Sequence, residues 1–236
     1  MIPKIIHYCW FGQNPLPNSA LKCISSWKKF FPGFEIRLWN EESFDVNIIP
    51  YTAEAYSNNK FAFVSDYARF WILYRYGGIY FDTDVEVLKS FDPILSNGAF
   101  MGREAGTAGM VAPGLGLGTE AGNPIYAELL ASYSKLHFLN EDGSFNQKTI
   151  VSYTTEVLHN KGLHSEDILE KIGDISFYPS EFFCPMDSTT GIIRITPNTY
   201  SIHHYDCSWI NHSTLRWKLH LLKNSFNRFL FKFHLR

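Results

Sequence analysis

The sequence has few of the features that mark secreted, membrane-spanning or redox-active chains. It contains only four cysteines among 236 residues; none has the Cys-x-x-Cys spacing, and four are too sparse for a disulfide scaffold. The first apolar run is too short for a signal peptide, and no Ala-x-Ala-like cleavage site follows it. No window approaches 18 apolar residues free of charge, so no membrane-spanning helix is predicted. We therefore expect reduced thiols and a cytoplasmic protein that is soluble or peripheral to a membrane.

Charge is also scarce. Charged residues make up 19% of the chain and the formal net charge is −2, whereas 45% of the residues are hydrophobic and 17% are aromatic. This composition excludes a disordered chain, and a near-neutral charge gives no general reason to expect nucleic acid as a partner. The 16 glycines and 11 prolines exclude collagen-like classes. The length fits one α/β domain, or at most two small ones, with a real hydrophobic core.

The first forty residues predict a strand, a helix and a second strand. Residues 4–11 are apolar, β-branched and aromatic, which is typical of a buried strand. Residues 19–31 place apolar side chains on one helical face, with Ser19 as the expected N-cap. Residues 34–39 alternate as a strand does. This order indicates an α/β fold with a Rossmann-like, mostly parallel sheet flanked by helices.

The most informative segment follows. Residues 60–76 have helical spacing and end at two consecutive glycines, after which Ile79–Phe81 reads as a short apolar strand. Asp82-Thr83-Asp84 interrupts that strand, and β character resumes afterwards. Asp66 and Arg69 lie three residues apart on the helix, so they are neighbours on its surface. We expect both to point toward the edge of the sheet where the aspartate pair emerges.

Later elements are less clearly marked. Residues 98–124 are rich in glycine and are predicted to form a loop region beside a site. Residues 124–139 and 147–161 have helical patterns, and residues 200–205 are a strand candidate. No internal repeat is evident.

An Asp-x-Asp pair at a strand end can present two carboxylates to one divalent cation. Hard cations such as Mg²⁺ prefer carboxylate oxygens together with substrate phosphate oxygens, and a cation held in this way offsets the charge of a departing nucleoside diphosphate. The spacing alone is weak evidence, because ten aspartates in this chain give about 0.4 such pairs by chance. Aspartates in turns and caps are the competing interpretation.

The sequence resembles the DXD-motif sugar-binding glycosyltransferases, a family that includes the yeast initiating mannosyltransferases and many bacterial capsule and lipopolysaccharide glycosyltransferases. The similarity spans roughly residues 2–210. It is carried by the segments Ile2–Gly12, Leu38–Asn40, Phe63–Arg69, Tyr74–Asp84 and His203–Trp209. The resemblance implies a GT-A fold, a nucleotide-sugar donor with UDP-hexose favoured over a GDP-sugar, Mn²⁺ or Mg²⁺ as cofactor, and retention of the anomeric configuration.

The resemblance also implies roles for individual residues. Asp82 and Asp84 would be the catalytic DXD pair, in which Asp84 ligates the cation directly and Asp82 contacts both the cation and the donor. Asp66 and Arg69 would hold the donor's sugar hydroxyls and diphosphate. The alternative for Arg69 is a simple ion pair with Asp66 on an exposed helix face.

Two further groups of residues take their roles from the same resemblance. Trp10 and Phe11 fall where the first strand meets the nucleotide base, with core packing as the alternative. His204 and Ser208 would complete the metal site, and Trp209 would lie beside them against the donor. In a strand, alternation sends only one of two consecutive histidines inward, and His204 is the one expected there.

The family's Thr-Gly-Pro turn is missing from the middle region, where residues 152–156 read Ser-Tyr-Thr-Thr-Glu. Because that region borders the acceptor side, the acceptor's identity does not follow from the resemblance. Glu120 and Asn123 are candidates for the acceptor-facing wall. No nucleophile is placed by a motif, so front-face attack and a covalent intermediate both stay open.

The composition changes at residue 213. Residues 213–236 contain six Lys/Arg and no Asp or Glu, and their leucines and phenylalanines recur at spacings of three and four. A basic, aromatic, amphipathic helix is typical of a segment that lies in a membrane interface. We therefore divide the chain into a glycosyltransferase domain at 1–212 and a segment at 213–236 that binds an anionic membrane. The alternative is a helix docked on the body or in a dimer.

Together these observations predict a metal-dependent, retaining glycosyltransferase on the cytoplasmic face of a membrane. Its acceptor would be a glycan or a lipid-linked oligosaccharide that grows into a surface polysaccharide. A sugar-1-phosphate nucleotidyltransferase is one alternative, although residues 13–17 do not form the phosphate loop that it would need. A non-catalytic glycan- or membrane-binding module is the other. The oligomeric state is not predicted.

Overall fold

The structure is a computed structural model that describes residues 1–187 and 190–206. Within those ranges the chain forms seven helices and nine strands. The helices are α1 (Asn18–Phe30), α2 (Pro50–Ser57), α3 (Phe61–Tyr76), α4 (Asp92–Leu95), α5 (Pro124–Tyr133), α6 (Ile150–His159) and α7 (Ser180–Phe183). The strands are β1 (Ile5–Cys9), β2 (Glu35–Trp39), β3 (Gly78–Tyr80), β4 (Val85–Val87), β5 (Ala99–Gly102), β6 (Leu117–Thr119), β7 (Glu170–Ile172), β8 (Ile175–Tyr178) and β9 (Ser201–His203). Their order along the chain is β1-α1-β2-α2-α3-β3-β4-α4-β5-β6-α5-α6-β7-β8-α7-β9.

Seven strands form one central sheet in the order β2-β1-β3-β6-β5-β8-β7, and β4 pairs with β9 in a separate two-stranded sheet. Strand β1 is parallel to both β2 and β3, and β5 is parallel to β8. Strands β6 and β7 are antiparallel to their neighbours, so five of the seven strands run in one direction. This mostly parallel sheet, flanked by helices, confirms the predicted α/β architecture.

Successive side chains of the central strands enter two different hydrophobic cores. Tyr80 packs into a core with residues of α2, α3, α5 and α6, whereas Ile79 and Phe81 pack into a second core with residues of α1, β4 and α7. This alternation follows from the two-residue period of a strand. Both faces of β3 are therefore covered by apolar side chains. The aspartate pair follows directly after the carboxyl end of this strand.

The predicted helix over 60–76 is confirmed, and its end has a clear cause. Gly77 follows α3 with a φ of 63°, in the left-handed region that favours glycine, and its N–H donates to the carbonyl of Leu73. The expected cap at the start of α1 is wrong. Pro17 occupies the N-cap position without a side-chain hydrogen bond, and Ser19 lies inside the helix.

The predicted loop over 98–124 is wrong at its two ends, which form β5 and β6. These strands contain glycines because large aromatic side chains pack against them: a Cβ at Gly118 would lie 2.2 Å from Cε1 of Phe100. Glycine has a low strand propensity, so the glycines that this close packing requires made the two segments look like a loop in the sequence. Cys9, Cys23 and Cys184 are free and buried. Among the described helices, none is both long and apolar enough to cross a bilayer.

Candidate donor and metal site

The parallel strands bring the predicted site residues to one edge of the sheet. Strands β1, β2 and β3 run in the same direction, so the loops that follow them share their carboxyl edge. The loop after β3 contains Asp82 and Asp84, and the loop after β1 begins at Trp10. Carboxyl edges of this kind are where open α/β sheets bind ligands.

Arg69 joins helix α3 to the aspartate pair. Its Nη1 lies 3.2 Å from Oδ2 of Asp82, its Nη2 lies 3.0 Å from Oδ1 of Asp66, and its Nε donates to the carbonyl of Ser65 at 3.1 Å. The side chain is only 4% exposed. The ion pair with Asp66 therefore exists, but in a buried setting rather than on an exposed helix face, and it extends to the first residue of the motif.

Burial and charge act in opposite directions on this pair. Burial raises the pKa of the Asp66 carboxyl, and the Arg69 guanidinium opposes that shift. Burial lowers the pKa of Arg69, but the charges of Asp82 and Asp66 outweigh it and the pKa rises. Arg69 therefore keeps its positive charge at the edge of the sheet, where it can attract an anionic group.

Tyr80 and Gly114 hold the Asp82 carboxylate in place. The Tyr80 hydroxyl donates to Oδ1 of Asp82 at 3.1 Å, and the Tyr80 ring lies 4.9 Å from the guanidinium carbon of Arg69. Gly114 accepts a backbone hydrogen bond from Asp82 at 3.2 Å. A Cβ at Gly114 would lie 2.2 Å from Oδ2 of Asp82, so only glycine fits against this carboxylate.

Asp84 is bound by the segment around β9, which pairs with β4 in antiparallel register. Its Oδ1 lies 3.2 Å from Nε2 of His203, and its Oδ2 accepts the N–H of Asp206 at 2.9 Å. Burial alone would raise the pKa of Asp84, but His203 and the N–H of Asp206 lower it to about 2. The carboxylate is therefore ionised at any physiological pH.

These residues form a group with the composition of a metal site. One ligand atom each from Asp82, Asp84 and His203 lies within 4.8 Å of the others. Two carboxylate oxygens and one imidazole nitrogen suit a divalent cation such as Mn²⁺. The other ring nitrogen of His203, Nδ1, is buried without a partner among the described residues. The donor set present in the structure thus fits the predicted cofactor class.

The other predicted site residues have different surroundings. Nε2 of His204 lies 2.8 Å from Oε2 of Glu86, so His203 rather than His204 faces the aspartate pair. Trp10 is half-buried, and its indole N–H donates to the carbonyl of Asn14. Phe11 is 5% exposed and packs against Phe44, which leaves little of its ring surface for a ligand. Ser208 and Trp209 lie outside the described residues.

The candidates for the acceptor wall do not face the aspartate pair through any described contact. Glu120 pairs with the amino group of Met1, and Asn123 accepts a hydrogen bond from the N–H of Ile125 as the N-cap of α5.

Three residues at this site were not assigned to it from the sequence: His203, which was passed over in favour of His204, Gly114 and Tyr80. Alternation brings one of two histidines inward but does not say which, because the register of β9 against β4 decides it. Gly114 lies in a glycine-rich segment where no local pattern distinguishes it. Only the approach of Asp82 marks it as a special position.

Comparisons with known proteins agree with this geometry. Residues 17–101 match the sequence model of the family described as glycosyltransferase sugar-binding region containing DXD motif. The matched segment includes Asp66, Arg69 and the aspartate pair, but it ends before His203. The resemblance inferred from the sequence is thereby confirmed.

Curated relatives match over similar lengths. The chain is 35% identical over 106 residues to inositol phosphoceramide mannosyltransferase 3 of Schizosaccharomyces pombe, which covers 43% of this chain and 30% of the relative. It is 33% identical over 111 residues to inositol phosphoceramide mannosyltransferase 1 of the same yeast, covering 42% of this chain and 33% of the relative. The aligned part of this chain thus spans about a third of these relatives.

Among solved structures, the PaToxG glycosyltransferase superposes with a TM-score of 0.51 at 20% identity, covering 67% of this chain and 69% of that one. This similarity establishes the GT-A fold that the sequence predicted.

Proposed function

We propose that this chain, which carries the sugar-binding region of the DXD-motif glycosyltransferases, transfers a sugar from a nucleotide-sugar donor with the help of a divalent cation. One observation carries the proposal: the Asp82, Asp84 and His203 ligand atoms converge within 4.8 Å at the carboxyl edge of the sheet, beside a buried arginine. Carboxylates and a fixed cationic side chain are the groups that nucleoside diphosphate departure requires.

The three ligand residues would hold Mn²⁺ or Mg²⁺. When bound, such a cation offsets the negative charge that develops on a departing diphosphate. Asp84 supports this role because its low pKa keeps it ionised. The imidazole of His203 favours Mn²⁺ over Mg²⁺, since Mg²⁺ prefers oxygen ligands.

The donor would lie between the cation site and α3. Arg69 is charged, buried and held from three sides, so it would offer a preorganised contact to the diphosphate. Asp66 would accept hydrogen bonds from sugar hydroxyls. The half-buried Trp10 would face the nucleotide base, whereas Phe11 would support it from the core. Trp209 and Ser208 keep the donor and metal roles that the resemblance implies for them.

The proposal also covers the sugar and the nucleotide of the donor. UDP-hexose remains the predicted donor. The curated relatives are named as mannosyltransferases, so mannosyl donors belong in the same test. Retention of anomeric configuration is part of the proposal, through either front-face attack or a covalent intermediate.

For the acceptor we propose a glycan or a lipid-linked oligosaccharide. The curated relatives are named inositol phosphoceramide mannosyltransferases, and these names support a lipid-borne acceptor. The basic aromatic segment at 213–236, which lies outside the described residues, would bring the enzyme to an anionic membrane on the cytoplasmic face.

The test is a panel of UDP-hexoses and GDP-mannose with Mn²⁺, in which release of nucleoside diphosphate and the anomeric configuration of the product are measured. We expect one donor to be turned over, chelation by EDTA to abolish turnover, and D84N to lower it at least 100-fold. D142N is the matched control, because Asp142 is an exposed loop residue whose side chain bonds only Ser144 within the described part of the chain.

Three outcomes would contradict the proposal. Metal-stimulated turnover retained in D84N would refute the assignment of the cation site. Formation of pyrophosphate from a nucleoside triphosphate and a sugar-1-phosphate would identify a nucleotidyltransferase, and glycan binding without turnover would identify a non-catalytic module.

A further inference from the structure

The residue after the two histidines has an unusual backbone conformation. Tyr205 has a φ of 51°, in the left-handed region that non-glycine residues rarely adopt. In this left-handed turn after β9, the N–H of Asp206 donates to Oδ2 of Asp84 at 2.9 Å. Left-handed tyrosines persist only where surrounding contacts hold them. The contacts of the Tyr205 side chain are therefore informative.

Those contacts lead to the candidate cation site on one side and to the glycine-rich loop on the other. The Tyr205 and His203 rings pack in a T-shaped arrangement, with centroids 4.2 Å apart and an interplanar angle of 83°. The Tyr205 hydroxyl donates to Oε1 of Glu104 at 3.0 Å and lies 3.0 Å from Sγ of Cys184. Burial raises the pKa of Cys184 to about 11, so the thiol beside the phenol keeps its proton.

Glu104 is itself fixed by its neighbours. Its N–H donates to the carbonyl of Met110 at 2.8 Å, which closes the loop after β5. The adjacent Arg103 is fully buried and pairs with Glu170 at 2.8 Å, and it also donates to the carbonyls of Gly109 and His164. Glu104 therefore offers the phenol an acceptor in a loop that is held by its own backbone hydrogen bond and by the ion pair of the adjacent Arg103.

We propose that Tyr205 is a positioning residue of the cation site, and that Glu104 is the group through which it is held. The phenol–carboxylate bond stabilises the left-handed turn, and this turn aims the Asp206 N–H at Asp84 while the tyrosine ring fixes the orientation of His203. Tyr205 contacts neither donor nor cation in this scheme. The inference rests on the proposed function, because it assumes that Asp82, Asp84 and His203 bind a divalent cation.

The direct test is the affinity of the protein for Mn²⁺ alone, measured by calorimetry or by the paramagnetic resonance of the free ion. Y205F removes the hydroxyl but keeps the ring on His203. We expect the Kd for Mn²⁺ to rise about 10- to 100-fold, as for other residues that orient metal ligands, without a change in the circular dichroism spectrum. At saturating Mn²⁺ the kcat should recover, since no reacting group has been lost.

Y56F is the matched control. The Tyr56 hydroxyl also donates to a glutamate, Oε1 of Glu41, at 3.0 Å. Tyr56 lies in α2 and Glu41 follows β2, so this pair does not contact β9. We expect the Mn²⁺ affinity of Y56F to equal that of the wild type. A similar loss in both variants would show that any missing phenol–carboxylate bond weakens the site, and would overturn the specific role of Tyr205.

Variants of Glu104 test the coupling. E104Q keeps an oxygen that accepts from the phenol, so its affinity should stay close to that of the wild type, whereas E104A should match Y205F. The double variant Y205F/E104A should be no weaker than Y205F, because both changes break the same bond. Additive losses would contradict the proposed link.

The outcomes separate this inference from the function on which it rests. If the wild type binds Mn²⁺ and Y205F binds it equally well, the positioning role is wrong and the cation site stands. If neither the wild type nor D84N binds Mn²⁺ while nucleotide-sugar turnover is also absent, the cation site fails and this inference fails with it.

Discussion

At the scale of single residues, the site depends on how closely the neighbouring groups pack around the Asp82 carboxylate. Asp82 receives a guanidinium on one oxygen and a phenol on the other, and the backbone of Gly114 lies directly against it. These contacts leave the carboxylate only one position. A carboxylate held in this way loses little entropy when it binds a ligand.

G114A tests this arrangement. The new Cβ would lie 2.2 Å from Oδ2 of Asp82, so the carboxylate has to move away from Arg69 or from its partners in the cation site. We expect at least a 10-fold loss of metal-dependent turnover. The backbone of Gly114 is not in the left-handed region, so the substitution adds no conformational strain of that kind.

G33A is the control, because it should change stability and leave turnover unchanged, the opposite of what we expect for G114A. Gly33 has a φ of 79° in the turn after α1, with open space where a Cβ would be. Alanine there should lower the free energy of unfolding by about 1 kcal/mol, through backbone strain, and leave turnover unchanged. If G114A instead lost only stability, the tight fit around Asp82 would have no bearing on catalysis.

At the scale of secondary structure, one buried histidine connects three elements behind the site. His7 lies in β1; its Nδ1 accepts the indole N–H of Trp39 in β2, and its Nε2 donates to the carbonyl of Gly77 between α3 and β3. Because Nδ1 must accept, the ring is neutral. It thereby fixes the junction between α3 and β3 against strands β1 and β2.

This neutral histidine predicts a pH dependence of stability. Burial lowers the pKa of His7 from 6.5 to about 4, against the opposing effect of the Gly77 carbonyl. The unfolded chain therefore takes up a proton between pH 6.5 and 4 that the folded protein does not, and stability falls as the pH falls through this range. The full loss is roughly 3 kcal/mol.

Urea unfolding at pH 7 and at pH 4 measures this effect. H7Q removes the titrating group, so its stability should depend less on pH than that of the wild type. H159Q, a change of an exposed histidine at the end of α6, should keep the wild-type dependence. Equal pH dependence in the wild type and H7Q would contradict the assignment of His7 as a neutral, buried group.

At the scale of the whole molecule, charge is unevenly distributed along the chain. All 23 acidic residues precede residue 213, together with 15 of the 21 basic residues, and six basic residues follow. The acidic body carries the candidate site. The basic segment at 213–236 is the part that we propose binds an anionic membrane, near an acceptor that stays in the bilayer.

Sedimentation with lipid vesicles tests that proposal in the full chain. We expect the protein to pellet with vesicles that contain anionic lipid and to be released by high salt. Replacing the six basic residues of 213–236 by glutamine should lower binding at least 10-fold, because each contributes on the order of 1 kcal/mol near an anionic surface. The control replaces six exposed lysines of the body by glutamine: Lys4, Lys22, Lys28, Lys29, Lys135 and Lys171. Equal losses in both variants would refute the proposal.

Local patterns in the sequence determined the central part of this protein. The helical spacing of residues 60–76, the glycine stop and the aspartates after a short apolar strand were all predicted and lie as expected, because each depends on residues within a few positions of one another. Arg69 and Asp66 share a helix face for the same reason. The same local motif carried the resemblance to the DXD-motif glycosyltransferases, whose sequence model matches residues 17–101.

Tertiary structure alone decided how the site is completed. The choice of His203 over His204 depends on the register of β9 against β4, and the role of Gly114 depends on the approach of Asp82 from another element. Strands β5 and β6, which lie in the predicted loop at 98–124, contain glycines against which aromatic side chains from other parts of the chain pack. Such contacts join residues far apart in the chain, so no local pattern in the sequence encodes them.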